Sequence, residues 1–113
     1  MDENQRLVAA AQAGDPAAQE QVALAFQQGG MPAEALGWLS KAAKAGQASA
    51  VGRLGLWEVV GYGAPPNPAK GIEKLIAAAR TGDPFSLHAA SVVQAGGIGT
   101  LEGLVEQMAW AQL

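Results

Sequence analysis

Cysteine is absent from these 113 residues, which excludes disulfides, thiolate zinc sites and a cysteine nucleophile together while leaving the redox compartment open. Histidine occurs once, and aromatic residues make up only 5% of the chain. A single histidine with neither a thiol nor a carboxylate pair beside it has little to offer a metal ion, so neither a metal nor a cofactor is expected. Long apolar runs are missing as well: Gly, Pro or a charge interrupts every stretch short of the roughly 20 residues that cross a bilayer. The opening MDENQRLV is polar and acidic, where a secretory signal carries basic residues and then an apolar core. The expected compartment is the cytoplasm, away from membranes. Cations are scarce in one region in particular. Residues 1–82 hold seven acidic and seven basic side chains, whereas residues 83–113 hold Asp83, Glu102 and Glu106 with no Lys or Arg. Nucleic-acid binders need clustered cations to displace phosphate counterions, so this distribution argues against DNA and RNA.

What the chain does have is an echo. AAQAGDP, starting at Ala10, returns as AAKAGQA from Ala42 and AARTGDP from Ala78, so Gly14, Gly46 and Gly82 recur at separations of 32 and 36 residues. A period of that size marks stacked supersecondary units, each too small to bury its own apolar face. Apolar residues recur at helical spacing without alternating β-branched runs, which predicts seven helices over roughly 3–13, 16–28, 33–45, 47–60, 68–81, 84–95 and 101–112. In AGDP, Gly14 or Gly82 supplies a left-handed helix end, Asp15 or Asp83 caps the next helix, and Pro16 or Pro84 takes its first position, where the missing N–H costs nothing. Lys44 and Arg80 fall near helix C-termini, where a cation meets the negative end of the dipole. The other junctions are Gly29–Pro32, Gly61–Pro68 and Gly96–Thr100. Extra residues in the middle one account for the longer spacing, and Pro65, Pro66 and Pro68 stiffen it. Alanine, at 25 residues, favours tightly nested antiparallel helices over a cofactor-holding bundle.

These residues resemble the Sel-like repeats, α/α relatives of the tetratricopeptide repeat. The family pattern of A, L-G, G-x-G, K-x and A-A-x-x-G is met by Ala50, Leu54-Gly55, Gly61 and Gly63, Lys70, Ala78-Ala79 and Gly82. A first repeat keeps Gly29, Ala35, Trp38, Lys41, Ala42-Ala43 and Gly46, with Val22-Ala23 in place of L-G; a third, from Ser86, has Ala90-Ser91 there. Glu58 and Lys74 stand where the family usually has tyrosine and tryptophan. The resemblance implies a protein-interaction module without intrinsic catalysis. Similar arrays also precede catalytic domains, including those of bacterial proteins that look like prolyl-hydroxylase-type oxygenases, so recruitment for a larger enzyme is the alternative function. Periodicity and resemblance together predict one all-α domain over 1–113: a right-handed α/α solenoid of about three tetratricopeptide/Sel-like hairpins, with the first helix covering the first hairpin.

In such arrays the first helix of each pair lines the concave face. Mapped here, that face holds Leu24, Leu56 and Val92 at one equivalent position, Glu20, Gly52 and His88 at the next, and Gln27 with Val59. The stripe is a candidate surface for a peptide or protein partner; the competing reading packs Leu56, Val59 and Val92 against adjacent helices. Trp57 and Tyr62 stand near the longest loop, and Trp57 is either an interface anchor or a packing residue. Trp38 is assigned to the core. Trp110, on the last helix, predicts an exposed end and a possible homodimer through it. Asp83, Ser86, His88 and Ser91 superficially offer an acid, a base and hydroxyls, but Asp83 suits a cap better than a triad and no oxyanion-holding turn is evident, so no catalytic residue is assigned. The Gly-rich loops lack the lysine of a phosphate-binding loop and follow no strand.

Overall fold

The computed structural model describes residues 2–96, with side chains to residue 93. The described residues form six helices and no strand: α1 (Glu3–Gln12), α2 (Pro16–Gln28), α3 (Pro32–Lys44), α4 (Ala48–Val60), α5 (Pro68–Arg80) and α6 (Pro84–Gly96). The described part of the chain is therefore all-α, as its periodicity predicts. Expected and observed helices agree to within a residue at each end. Ala13, Ala45 and Thr81 act as caps instead of closing a last turn, and Pro32 enters α3 as its first residue. The helix expected over 101–112, and Trp110 with it, lies outside the described residues.

The junction chemistry follows from the repeated phrases. Gly14, Gly46 and Gly82 have φ of 102°, 89° and 88°, a region an L side chain enters at a cost. After Gly14 the Asp15 N–H donates to the Ala10 carbonyl, and after Gly46 the Gln47 N–H donates to the Ala42 carbonyl, returning the chain over the helix end just left. Asp15 then accepts from the Ala17 N–H at 3.1 Å. Asp83 accepts from both the Ser86 N–H (2.9 Å) and the Ser86 hydroxyl (2.7 Å). Asn67 caps α5, and Asp2 forms a reciprocal capping box with Gln5.

The most extensive contact is between α4 and α5 and then between α2 and α3; other contacts join α1 to α2, α3 to α4 and α5 to α6, and α4 also meets α6. Three apolar clusters fill these seams. The first, under α1 and α2, holds Ala11, Ala18 and Val22. A second, between α2, α3 and α4, is built on Ala23, Ala35, Leu39, Ala42, Ala50, Leu54 and Trp57. The third, between α4, α5 and α6, holds Leu56, Val59, Leu75, Ala89 and Val93. Helix α4 contributes to two of the three, which explains why apolar and small residues occur all round it.

Glycine sets the closest approaches. A Cβ on Gly55 would stand 2.6 Å from the Gly71 carbonyl oxygen, and one on Gly71 would stand 2.8 Å from the Val59 nitrogen. The α4 and α5 backbones thus touch directly at this crossing. Gly52 makes similar room for the side chain of Ser86, which is fully buried. Lys74 pairs with Glu58 across the same helix pair; at the positions where the resembling family carries aromatics, this chain carries complementary charges.

Trp38, assigned to the core, packs against the first two clusters without being enclosed, and Trp57 takes the packing alternative. Trp38 is half-buried, with the Lys41 ammonium 4.4 Å from its ring centre. Trp57 is the more enclosed ring, 3% exposed, because it points from α4 into the seam with α2 and α3. Tyr62 meets it edge-on, with ring centres 4.8 Å apart.

Candidate functional site: the face of the first helices

Helices α2, α4 and α6 are joined side to side by polar and aromatic contacts. Glu20, 8% exposed on α2, accepts from the Ser49 hydroxyl at 2.6 Å and from Gln47 Nε2 at 3.3 Å, and its other oxygen lies 3.6 Å from Arg53 Nε. A carboxylate taken this far out of water needs such partners. Gln47 is the N-cap of α4 and makes no side-chain capping bond of its own, so the α2 carboxylate also supplies negative charge at the start of α4, where the helix dipole favours it. Arg53 carries the connection onward: its guanidinium carbon sits 4.2 Å from the centre of the Phe85 ring on α6.

The residues expected to receive a partner fall into two groups. Glu20, Leu56, Trp57 and Val59 are buried. Leu56 and Val59 pack with Leu75, Ala89 and Val93, and Val92 packs partly against the same cluster, as the competing reading of the stripe has it; Trp57 packs with Leu39 and Leu54, and Glu20 is held by the polar contacts above. The physical reason is the small residues beside them. Gly52 and Gly55 let α5 and α6 close onto α4, and that close approach encloses Leu56 and Val59. Leu24, Gln27 and Val92 remain half-buried and His88 exposed. These four retain solvent-facing surface on α2 and α6.

The group around Asp83 resolves as a cap. Its Oδ2 is engaged by Ser86, whose hydroxyl is inaccessible, while His88 and Ser91 are exposed. Among the described residues no three His, Cys, Asp or Glu side chains come together in a way that could hold a metal ion, and no helix is long and apolar enough to cross a membrane. A shallow cleft of about 520 Å³ lies between α1 and α2, lined by Arg6, Leu7, Asp15 and Gln21 among others. It includes none of the residues expected from the sequence.

Arg53, Phe85 and the structural role of Glu20 escaped sequence reasoning. The one available signal was Arg53 itself, a lone charge within AVGRLGLW, since a charge inside an otherwise apolar helix needs a partner. Nothing local pointed to Glu20, which lies on α2, more than thirty residues earlier. A scan of protein-family models and a search of curated proteins each returned no match to this chain.

Proposed function

We propose that this chain is a Sel-like α/α solenoid that binds a peptide or protein partner along its first helices and performs no chemistry of its own. The observation that carries this reading is the continuous line Glu20–Arg53–Phe85, which ties α2, α4 and α6 into one surface. Helices fixed to one another in this way present a preorganised face, and preorganisation lowers the entropic cost of association. Leu24, Gln27, His88 and Val92 are the contact residues. The apolar pair gives anchorage, and the polar pair gives hydrogen bonds that select register. Leu56, Trp57 and Val59 support the face from beneath.

A display library of random peptides, panned against the chain, provides the test. Selected peptides are expected to lose at least tenfold in affinity, about 1.4 kcal/mol, for a Gln27→Arg/His88→Glu double variant whose helical circular dichroism is unchanged. Equal affinity for the two proteins would remove this face as the site. Leu56 is unsuitable for such a test, because a charge there would break the α4–α6 seam rather than report on binding.

A further inference from the structure

Helix α1 corresponds to the second helix of a hairpin, with no first helix of its own among the described residues. By the repeat register its Glu3, Asn4, Leu7 and Ala10 match Ala35, Leu36, Leu39 and Ala42 on α3 and Gly71, Ile72, Leu75 and Ala78 on α5. On α3 and α5 these positions are buried, or half-buried at Leu36 and Ile72, whereas on α1 Glu3 and Asn4 are exposed and Leu7 and Ala10 half-buried. Helix α2 shows the same open side from the other wall. Gln47, Ser49 and Arg53 at the start of α4 hold Glu20 of the preceding first helix, and Phe85 at the start of α6 receives Arg53. The equivalent residues of α2, Asp15, Ala17 and Gln21, are all exposed. The two sets together line the cleft of about 520 Å³ between α1 and α2, so this cleft has the position and the walls of a first-helix seat in the stack.

We propose that this cleft docks an amphipathic helix of a partner protein, one that carries a Lys or Arg followed six residues later by an Asp or Glu. The assignment rests on the repeat register used above, but not on the face proposed to bind peptides. Charge complementarity fixes the pattern. At the place of Glu20, a docked helix meets Asp15 and Gln21 where α2 meets Gln47 and Arg53, and Glu3 stands on the opposite wall. Asp15 spends Oδ1 on the Ala17 N–H, which leaves its second oxygen for an ammonium or guanidinium group. Six residues further along, the facing pairs in the two complete hairpins are Phe26 with Trp38, packed on the same apolar clusters, and Glu58 with Lys74, an ion pair. Arg6 takes the place of Trp38 and Lys74, so its complement is an acid. Leu7, Ala10 and Ala18 give the cleft an apolar floor, suited to a small residue and a leucine at the places of Ala23 and Leu24. The chain's own first helices lack the charge pair, having Glu20 and Phe26, Gly52 and Glu58, and His88 and Gln94 at these places. A second copy therefore fits the cleft less well than a different protein.

The probe is the α2 sequence itself with its charges changed: a fluorescein-labelled peptide of residues 16–28 carrying Glu20→Lys and Phe26→Glu. A hydrocarbon staple on its outer side supplies the helicity that a 13-residue segment barely holds alone in water. Fluorescence anisotropy with the full chain is expected to show saturable binding, weakened at least tenfold by Arg6→Glu and by Gln21→Lys. Both positions are exposed, so the fold is not at risk in either variant. A peptide with Phe26→Lys in place of Phe26→Glu should recover binding to the Arg6→Glu chain. Absence of saturable binding to the parent, or equal affinity for parent and both variants, overturns the proposal. A parent chain that sediments as a dimer and an Arg6→Glu chain that sediments as a monomer would give the cleft to a second copy, which overturns it as well. The Gln27→Arg/His88→Glu variant should bind the probe as the parent does, and loss of binding there would move the peptide to the other face. The two readings thus fail separately.

Discussion

Gly55 and Gly71 hold α4 and α5 at a separation that no larger residue permits, while Gly37, also inside a helix, has nothing within 4 Å of where its Cβ would be. The same substitution therefore has opposite consequences at two sites. Gly71→Ala forces the helices apart against Val59 and is expected to cost about 1–3 kcal/mol, the usual range for overpacking. Gly37→Ala, on the exposed side of α3, removes backbone freedom from the unfolded chain and is expected to stabilise by about 0.5–1 kcal/mol. Urea denaturation of the two variants against the parent checks both signs. Gly55 was legible as part of an L-G phrase, but Gly71 and Gly52 were not, since a glycine in a helix looks alike in sequence whether it faces a neighbour or water. The same limit explains Trp38 and Trp57. Both occur on amphipathic helices, and which ring is enclosed depends on the number of neighbours the helix has, which is a property of the stack.

Most helix starts carry their own stop-and-restart chemistry, a side-chain cap or a proline in the first turn, and that is why the elements could be placed to within a residue. Gly followed by Asp and Pro states three backbone requirements in a row, each local. Asp83 shows how much rests on one such residue: it satisfies the Ser86 N–H and the hydroxyl of a side chain buried against Gly52. Asp83→Ala is expected to destabilise by about 1–2 kcal/mol, at the upper end for loss of a cap, with faster amide exchange confined first to the opening turn of α6. Asp83→Asn should restore most of the loss, because Asn also caps well. Where α4 begins, the local rule fails. Gln47 makes no side-chain cap, and the carboxylate that serves that turn comes from Glu20 on another helix. An interaction between elements cannot be read from either element alone, and so Glu20 looked like a surface residue.

Contacts in the described molecule join each helix to the next or to the next but one, as α4 meets α6 and Glu20 of α2 reaches Ser49 and Arg53 of α4. Local stability should then follow the number of flanking helices: α4 is packed from several sides, whereas α1 packs mainly on α2 through Ala11, Leu7 and Ala10. Hydrogen exchange under native conditions is expected to be slowest in α4 and fastest in α1, with α1 opening before the rest of the chain. Uniform rates across the helices would show that the stack melts as one block. The all-α class was legible from the helical spacing of the apolar residues together with the repeated phrase, because both periodicities run along the chain. The burial of Leu56 and Val59 was not, since it depends on how closely α5 and α6 approach α4. A further consequence of this neighbour-to-neighbour contact map lies in the order of assembly. Every seam closes a short stretch of chain, so little closure entropy opposes it. A nascent polypeptide leaving the ribosome can therefore bring α2 and α3 together while α6 is still being synthesised, and the alanine- and leucine-rich surfaces spend little time uncovered.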